Sequence, residues 1–262
     1  MNNLRGVYTI WYRDILRFWH DKMRMIGSIT FPLLFLFVFG SGLSARMGFL
    51  APGIDFAQFM FPGIIGMTLL MSSFMAGVSV VWDREFGFLK EVLVAPISRA
   101  SVAVGKTLGA ATVALLQGML ILLFAPLIGV SLSAWTLLAL LPLMFLLAAS
   151  IGSLGVLLAT RIRSMEAFQA VMQMLMFPMV FLSGVFFPLQ GLPAWMNILV
   201  KINPATYGIA PIRQVILGTT PGAPFGINLL GHNMSLWDNV AVLAVFGVAM
   251  VLLAMWSFSS QE

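Results

Sequence analysis

Apolar residues run along this chain in long stretches separated by short polar ones, instead of alternating between a core side and a water side. A helix needs roughly 20 residues to cross the hydrocarbon core of a bilayer. Six stretches reach about that length: 25–43, 59–82, 107–130, 135–160, 167–187 and 240–258. The pattern predicts a single all-α membrane domain over residues 1–262 with six transmembrane helices. An even number of spans puts both ends of the chain on one side.

Two regions outside the spans also carry a pattern. Ahead of the first span, Leu4, Val7, Ile10, Trp11, Ile15, Phe18 and Trp19 share one arc of a helix, and Arg5, Arg13, Arg17 and His20 lie off it. Residues 1–22 are therefore expected to form an amphipathic helix in the membrane interface, with Asp14, the acid on the apolar arc, paired to Arg17. It would serve as an anchor or as a transmitter of motion. The connection 188–238 is too apolar for a solvated loop and is broken by Pro193, Pro204, Pro211, Pro221 and Pro224. Its first part, 188–218, predicts two short re-entrant helices over 194–202 and 206–217, with Pro193 and Pro204 suited to helix starts. Broken backbone at membrane depth must be buried in protein or face a cavity, so this segment is either an external gate or a lid on the bundle.

Composition excludes a soluble protein. Hydrophobic residues make up 60% and charged residues 9%, against about 25% charged in soluble domains, and the mean hydropathy is +1.01. The net charge of +5 does not form a nucleic-acid patch, because the basic residues sit at the ends of apolar stretches. With the N-terminus in the cytoplasm, eleven of them face inward: Arg5, Arg13, Arg17, Lys22, Arg24, Arg84, Lys90, Arg99, Lys106, Arg161 and Arg163. Three, Arg46, Lys201 and Arg213, face outward. Lys and Arg in short loops are held on the cytoplasmic side during insertion, so both ends are expected in the cytoplasm. The n-region before the first span is too long and amphipathic for a cleaved signal peptide.

Catalytic candidates are scarce. The nine Asp and Glu residues fall at or beyond the ends of the spans, and there is no cysteine. Neither histidine, His20 or His232, lies at depth, so no metal site and no catalytic residue is expected. The run A-S-V-A-V-G-K-T over 100–107 matches a permissive phosphate-loop pattern. Such a loop needs a buried strand before it, and here the run leads straight into a span; Lys106 is read as an interfacial anchor. The fifth span offers a weak substrate path, with Gln169 and Gln173 four residues apart beside Met165, Met172, Met176 and Met179. Methionine suits adaptable surfaces, and glutamines in spans also simply bond across helices.

Residues 83–100 form the most informative polar connection. Phe86, Leu89 and Leu93, with Phe88 and Val92, make an apolar face; Arg84, Glu85, Lys90 and Glu91 surround it, and Pro96 ends the helix. This segment resembles the link after the second span in ABC-2 type transporter permeases, which has Arg-Glu, a glycine and then a proline, here Arg84, Glu85, Gly87 and Pro96. Two further places carry the resemblance. One is Ser183, Gly184 and Pro188 followed by Leu192 and Pro193; the other is Asn203, Pro204 and Tyr207 followed by Arg213 and Gly218. Where relatives often have an acid before the arginine, this chain has Ala210 and Pro211.

The resemblance implies a permease in a bacterial inner membrane, without a nucleotide site or bound cofactor, that works as a pair with a second permease copy. Two copies of a separate ATP-binding subunit would bind ATP and Mg. Arg84, Glu85, Phe86, Gly87, Phe88, Leu89 and Pro96 would form the ATPase-coupling segment, and the substrate path would lie between the permease copies. No ionic residue inside the spans is available for a strongly charged solute, which favours export of a hydrophobic or amphiphilic molecule, drug-like or lipid-like. Polysaccharide or glycolipid export is the alternative within the family, and an ATPase-independent channel or carrier the alternative outside it.

Overall fold

The computed structural model describes residues 2–47, 55–86, 98–162, 164–189, 191–218, 227–229 and 232–259. Their order is α1 (Asn2–His20), α2 (Lys22–Met47), α3 (Phe56–Glu85), α4 (Arg99–Leu122), a 3₁₀ turn (Ala125–Ile128), α5 (Ala134–Arg161), α6 (Met165–Phe181), α7 (Ala194–Ile202), α8 (Pro204–Leu217) and α9 (Leu236–Ser259). A two-residue hairpin, Asn228–Leu229 against His232–Asn233, precedes α9. The described fold is all-α apart from this hairpin.

Helices α3, α4, α5 and α9 are each long and apolar enough to cross a membrane. Residues Asn3–His20 and Met25–Gly40 pass the same test only as a pair bent by 70°. Helix α6, at 17 residues, is shorter than the predicted fifth span. It ends at Phe181 because the chain turns at Leu182–Gly184, where Gly184 takes φ +81°, a conformation that costs any other L-residue. The third span is also displaced. Read as 107–130, it is the helix Arg99–Leu122, because Ser98 caps it, its Oγ accepting from the Ser101 N–H at 3.2 Å. The 3₁₀ turn containing Pro126 then follows its end.

Capping side chains set several other helix starts. Asp55 and Gln58 form a reciprocal capping box at α3; Ser133 accepts from the Thr136 N–H at 3.0 Å and Ser164 from the Ala167 N–H at 3.3 Å. Helix α3 is the centre of the bundle. Phe59, Phe61, Ile64, Ile65, Leu69, Leu70 and Phe74 are all fully buried, and α3 packs on α2, α4, α5, α6 and α8. Lipid removes most of the hydrophobic drive for helices to associate, so close van der Waals packing and interhelical hydrogen bonds must hold the bundle. Gly77 and Gly155 supply the close packing at the α3–α5 crossing: a Cβ on Gly77 would lie 2.4 Å from the Gly155 carbonyl oxygen. Helix α9 lies against α5, joined by the Thr160 and Ser257 hydroxyls at 2.6 Å.

Candidate functional site

Helix α1 does more than lie on the bundle, because it packs its length against α4. Gly105 and Gly109 make this contact, four residues apart on one face of α4. Cβ atoms there would stand 3.0 Å from Ile10 Cβ and 3.0 Å from Asp14 Cβ, the spacing by which small residues let helix backbones approach. Ile10 and Phe18 are buried, and Trp11 Nε1 donates to Thr112 Oγ1 at 3.0 Å. Leu4 and Trp19, from the same predicted arc, remain exposed. The phosphate-loop-like run is thus continuous helix from Arg99 onward, and its glycine serves a helix contact.

Lys106 is not an interfacial anchor. It is 2% exposed, with Nζ 2.6 Å from Asp83 Oδ2, 3.4 Å from Asp14 Oδ1 and 2.9 Å from Ser79 Oγ. Arg13 completes a cluster of two acids and two bases, 2.8 Å from Asp83 and 3.4 Å from Asp14. Asp14 therefore pairs with Arg13 and Lys106, not with Arg17. The reason is tertiary: Gly109 lets Asp14 come down onto α4 beside Lys106, and a buried ammonium takes the carboxylates within reach. The cluster ties α1, α3 and α4 together near the Glu85 end of α3.

Just beyond it lies the start of the predicted coupling segment. Arg84 reaches across to the end of α5, donating from Nη1 to the carbonyls of Ala159 at 3.1 Å and Ile162 at 3.2 Å. Glu85 is exposed. Phe86, 68% exposed, stacks on Trp82 at 4.8 Å between ring centroids. Gly87, Phe88, Leu89 and Pro96 lie outside the described residues.

At the opposite end of α3 the motif residues of the predicted gate converge. Asn203 caps α8 by accepting from the Ala205 N–H and donates from Nδ2 to the Met179 carbonyl at 2.8 Å. Thr206 donates to the Val200 carbonyl at 3.0 Å, and the Tyr207 hydroxyl to the Lys201 carbonyl at 2.7 Å. Pro193 and Pro204 stand at the starts of α7 and α8, so both short helices occur where the sequence places them. Ser183 is buried, its hydroxyl donating to the Val180 carbonyl at 2.6 Å, and Pro188 is half-buried.

Arg213 is 1% exposed, donates from Nη2 to the Gly184 carbonyl, and places its guanidinium 4.3 Å from the centre of the Phe59 ring. Among the described residues it has no carboxylate partner, in keeping with Ala210 and Pro211 where an acid often stands. Backbone carbonyl and aromatic face substitute for that acid.

Between these ends lies a cavity of about 760 Å³, lined by Gly27, Ser28, Phe31 and Pro32 of α2, by Thr68, Met71, Ser72 and Met75 of α3, by Gln117 of α4 and by Met172, Gln173, Met176 and Phe177 of α6. Met172, Gln173 and Met176 of the predicted substrate path face it; Gln169 does not and is exposed. No lining residue is charged. Periodicity along α6 points to the methionines, but Gln117 and Ser72 are on other helices, and only the bundle brings them here. Among the described residues no three His, Asp or Glu side chains gather as a metal site.

A bundle of apolar helices beside an uncharged cavity the size of a small-molecule pocket fits a membrane permease. The comparisons agree. The ABC-2 type transporter model matches residues 5–217, and the chain belongs to that family. It is 33% identical over 214 residues to a chain described as transport permease ycf38 from Cyanophora paradoxa, covering 80% of this chain and 73% of the relative. It is 27% identical to the inner membrane transport permease YadH of Escherichia coli (strain K12), over 95% of this chain and 92% of that one. Nodulation protein J of Rhizobium leguminosarum bv. viciae is 26% identical over 80% of this chain and 82% of its own.

Proposed function

We propose that the chain is the membrane-spanning subunit of an ATP-driven exporter that moves a hydrophobic or amphiphilic molecule, drug-like or lipid-like, out of the cytoplasm or the inner leaflet. The observation that carries this is the uncharged cavity of about 760 Å³ in a permease of the ABC-2 type family. In this reading α2, α3, α4, α5, α6 and α9 are six spans, both ends face the cytoplasm of an inner membrane, and α7 with α8 is the external re-entrant segment. YadH, named for the inner membrane, supports the location. Two permease copies pair, and two separate ATP-binding subunits bind ATP and Mg. Glu85 and Phe86 begin the segment docked to them.

A sugar polymer would call for a wall of hydroxyl and charged groups. The four methionines, the two phenylalanines and Pro32 of this wall favour the apolar cargo.

The test uses inverted membrane vesicles containing the chain and its ATP-binding partner, loaded from outside with an uncharged lipophilic fluorescent probe. Uptake is expected with ATP and not with an ion gradient alone. Uptake driven by the gradient without ATP would overturn the proposal.

A further inference from the structure

The cavity wall holds two polar atoms that nothing among the described residues satisfies. Gln117 is 1% exposed, and its Nε2 donates to Ser28 Oγ at 2.8 Å, which fixes the amide with Oε1 as the free acceptor. Ser28 Oγ donates in turn to the Met25 carbonyl, so it has no proton for Gln117. Ser72 Oγ, on α3, is the second buried atom without a partner. Of the other polar side chains of this wall, Thr68 is already used, donating to the Ile64 carbonyl at 3.0 Å, and Gln173 is exposed. Ser72 and Met75 also border a smaller cavity of about 80 Å³ beside Asp14 and Ser79. Gln117 does not border it and lines the large one.

Buried polar atoms in folded proteins almost always have partners. Here the unpartnered pair lies in an apolar wall that offers no charge to bind an ion. From this we propose that Gln117 and Ser72 are the specificity residues of the cavity, and that they select an uncharged amphiphile presenting a hydrogen-bond donor, an amide N–H or a hydroxyl, at the head of an apolar body. The donor goes to Gln117 Oε1, the Ser72 hydroxyl takes the acceptor of the same head group, and the body lies along Phe31, Met75, Met172 and Met176. This deepens the export reading above and rests on it for its physiological meaning. The binding itself requires neither ATP nor a partner.

The probe is tritiated dodecanamide, bound to the full chain in lipid nanodiscs and read by scintillation proximity. N,N-dimethyldodecanamide, which has lost both donors, and dodecanoate, which is charged, serve as competitors. Nanodiscs without the protein give the background. The dimethyl amide is expected to compete about five- to tenfold more weakly than dodecanamide, the worth of one net hydrogen bond, and dodecanoate more weakly still. Gln117→Leu is expected to bring dodecanamide down to the dimethyl amide's affinity and leave the latter unchanged, with Ser72→Ala giving a smaller loss. Equal competition by the two amides in the unaltered chain, or a preference that survives Gln117→Leu, would overturn the assignment and leave water as the partner of Gln117. Should Gln117→Leu fail to fold, the amide comparison in the unaltered chain decides alone. Binding with the expected preference but without ATP-driven uptake would refute the export reading while leaving this one standing.

Discussion

Lys106 sits eight residues into α4 with its ammonium between Asp83 and Asp14. Replacing it removes one partner from a buried set, and stranding a buried charge costs about 3–5 kcal/mol. Because Arg13 still holds Asp83 at 2.8 Å, Lys106→Met should destabilise by the lower end, about 3 kcal/mol. Asp83→Asn together with Lys106→Met should recover part of that loss. Thermal unfolding in detergent measures both, and single variants as stable as the unaltered chain would mean that the cluster contributes nothing. Gly184→Ala should cost about 1–2 kcal/mol in the same assay, from its φ of +81° and a Leu189 side chain 3.0 Å from the added Cβ. The burial of Lys106 was not legible in the sequence. In a linear sequence, Lys106 at the head of an apolar stretch looks like a residue reaching for the interface. The approach of α1, which buries it, depends on Gly105 and Gly109 and on the register between two helices.

At the scale of elements the pattern carried further. The short helices after α6 stand where Pro193, Pro204 and the apolar spacing put them, and α8 differs from 206–217 only in beginning at Pro204 under the Asn203 cap. Apolar length misjudged the third and fifth spans, because hydropathy does not register Ser98 as a cap or Gly184 as a stop. The amphipathic first helix was legible, but its partner was not: an apolar arc fits a lipid surface and a groove on α4 equally well. Since the chain has no cysteine, a pair introduced at Ile10 and Gly105 is free of competing thiols. With the two Cβ positions 3.0 Å apart, against about 3.5–4.5 Å in disulfides, Ile10→Cys with Gly105→Cys should oxidise nearly completely after a small shift. Absence of the bond on a non-reducing gel would show α1 lying elsewhere.

For the molecule as a whole, the asymmetry of basic residues and the six-span reading make a topological prediction. A cysteine at Trp195, exposed on α7, should react with a membrane-impermeant maleimide added outside intact cells, and one at Leu4, exposed on α1, only after the membrane is opened. The reverse pattern would invert the orientation. The cavity shows why fold and site differ in legibility. Spans are local facts of hydropathy, whereas the wall is assembled from α2, α3, α4 and α6, of which only the methionine-rich face of α6 stood out in sequence. The central claim is that this permease draws its energy from a separate ATP-binding subunit docked at the link after α3. ATP hydrolysis in the complex purified from native membranes through a tag on this chain tests it most directly. Hydrolysis should co-purify with the unaltered chain and be largely lost with Glu85→Arg or Phe86→Ala while the thermal stability of the membrane domain is kept; hydrolysis absent from the unaltered complex, or undiminished in both variants, would contradict it.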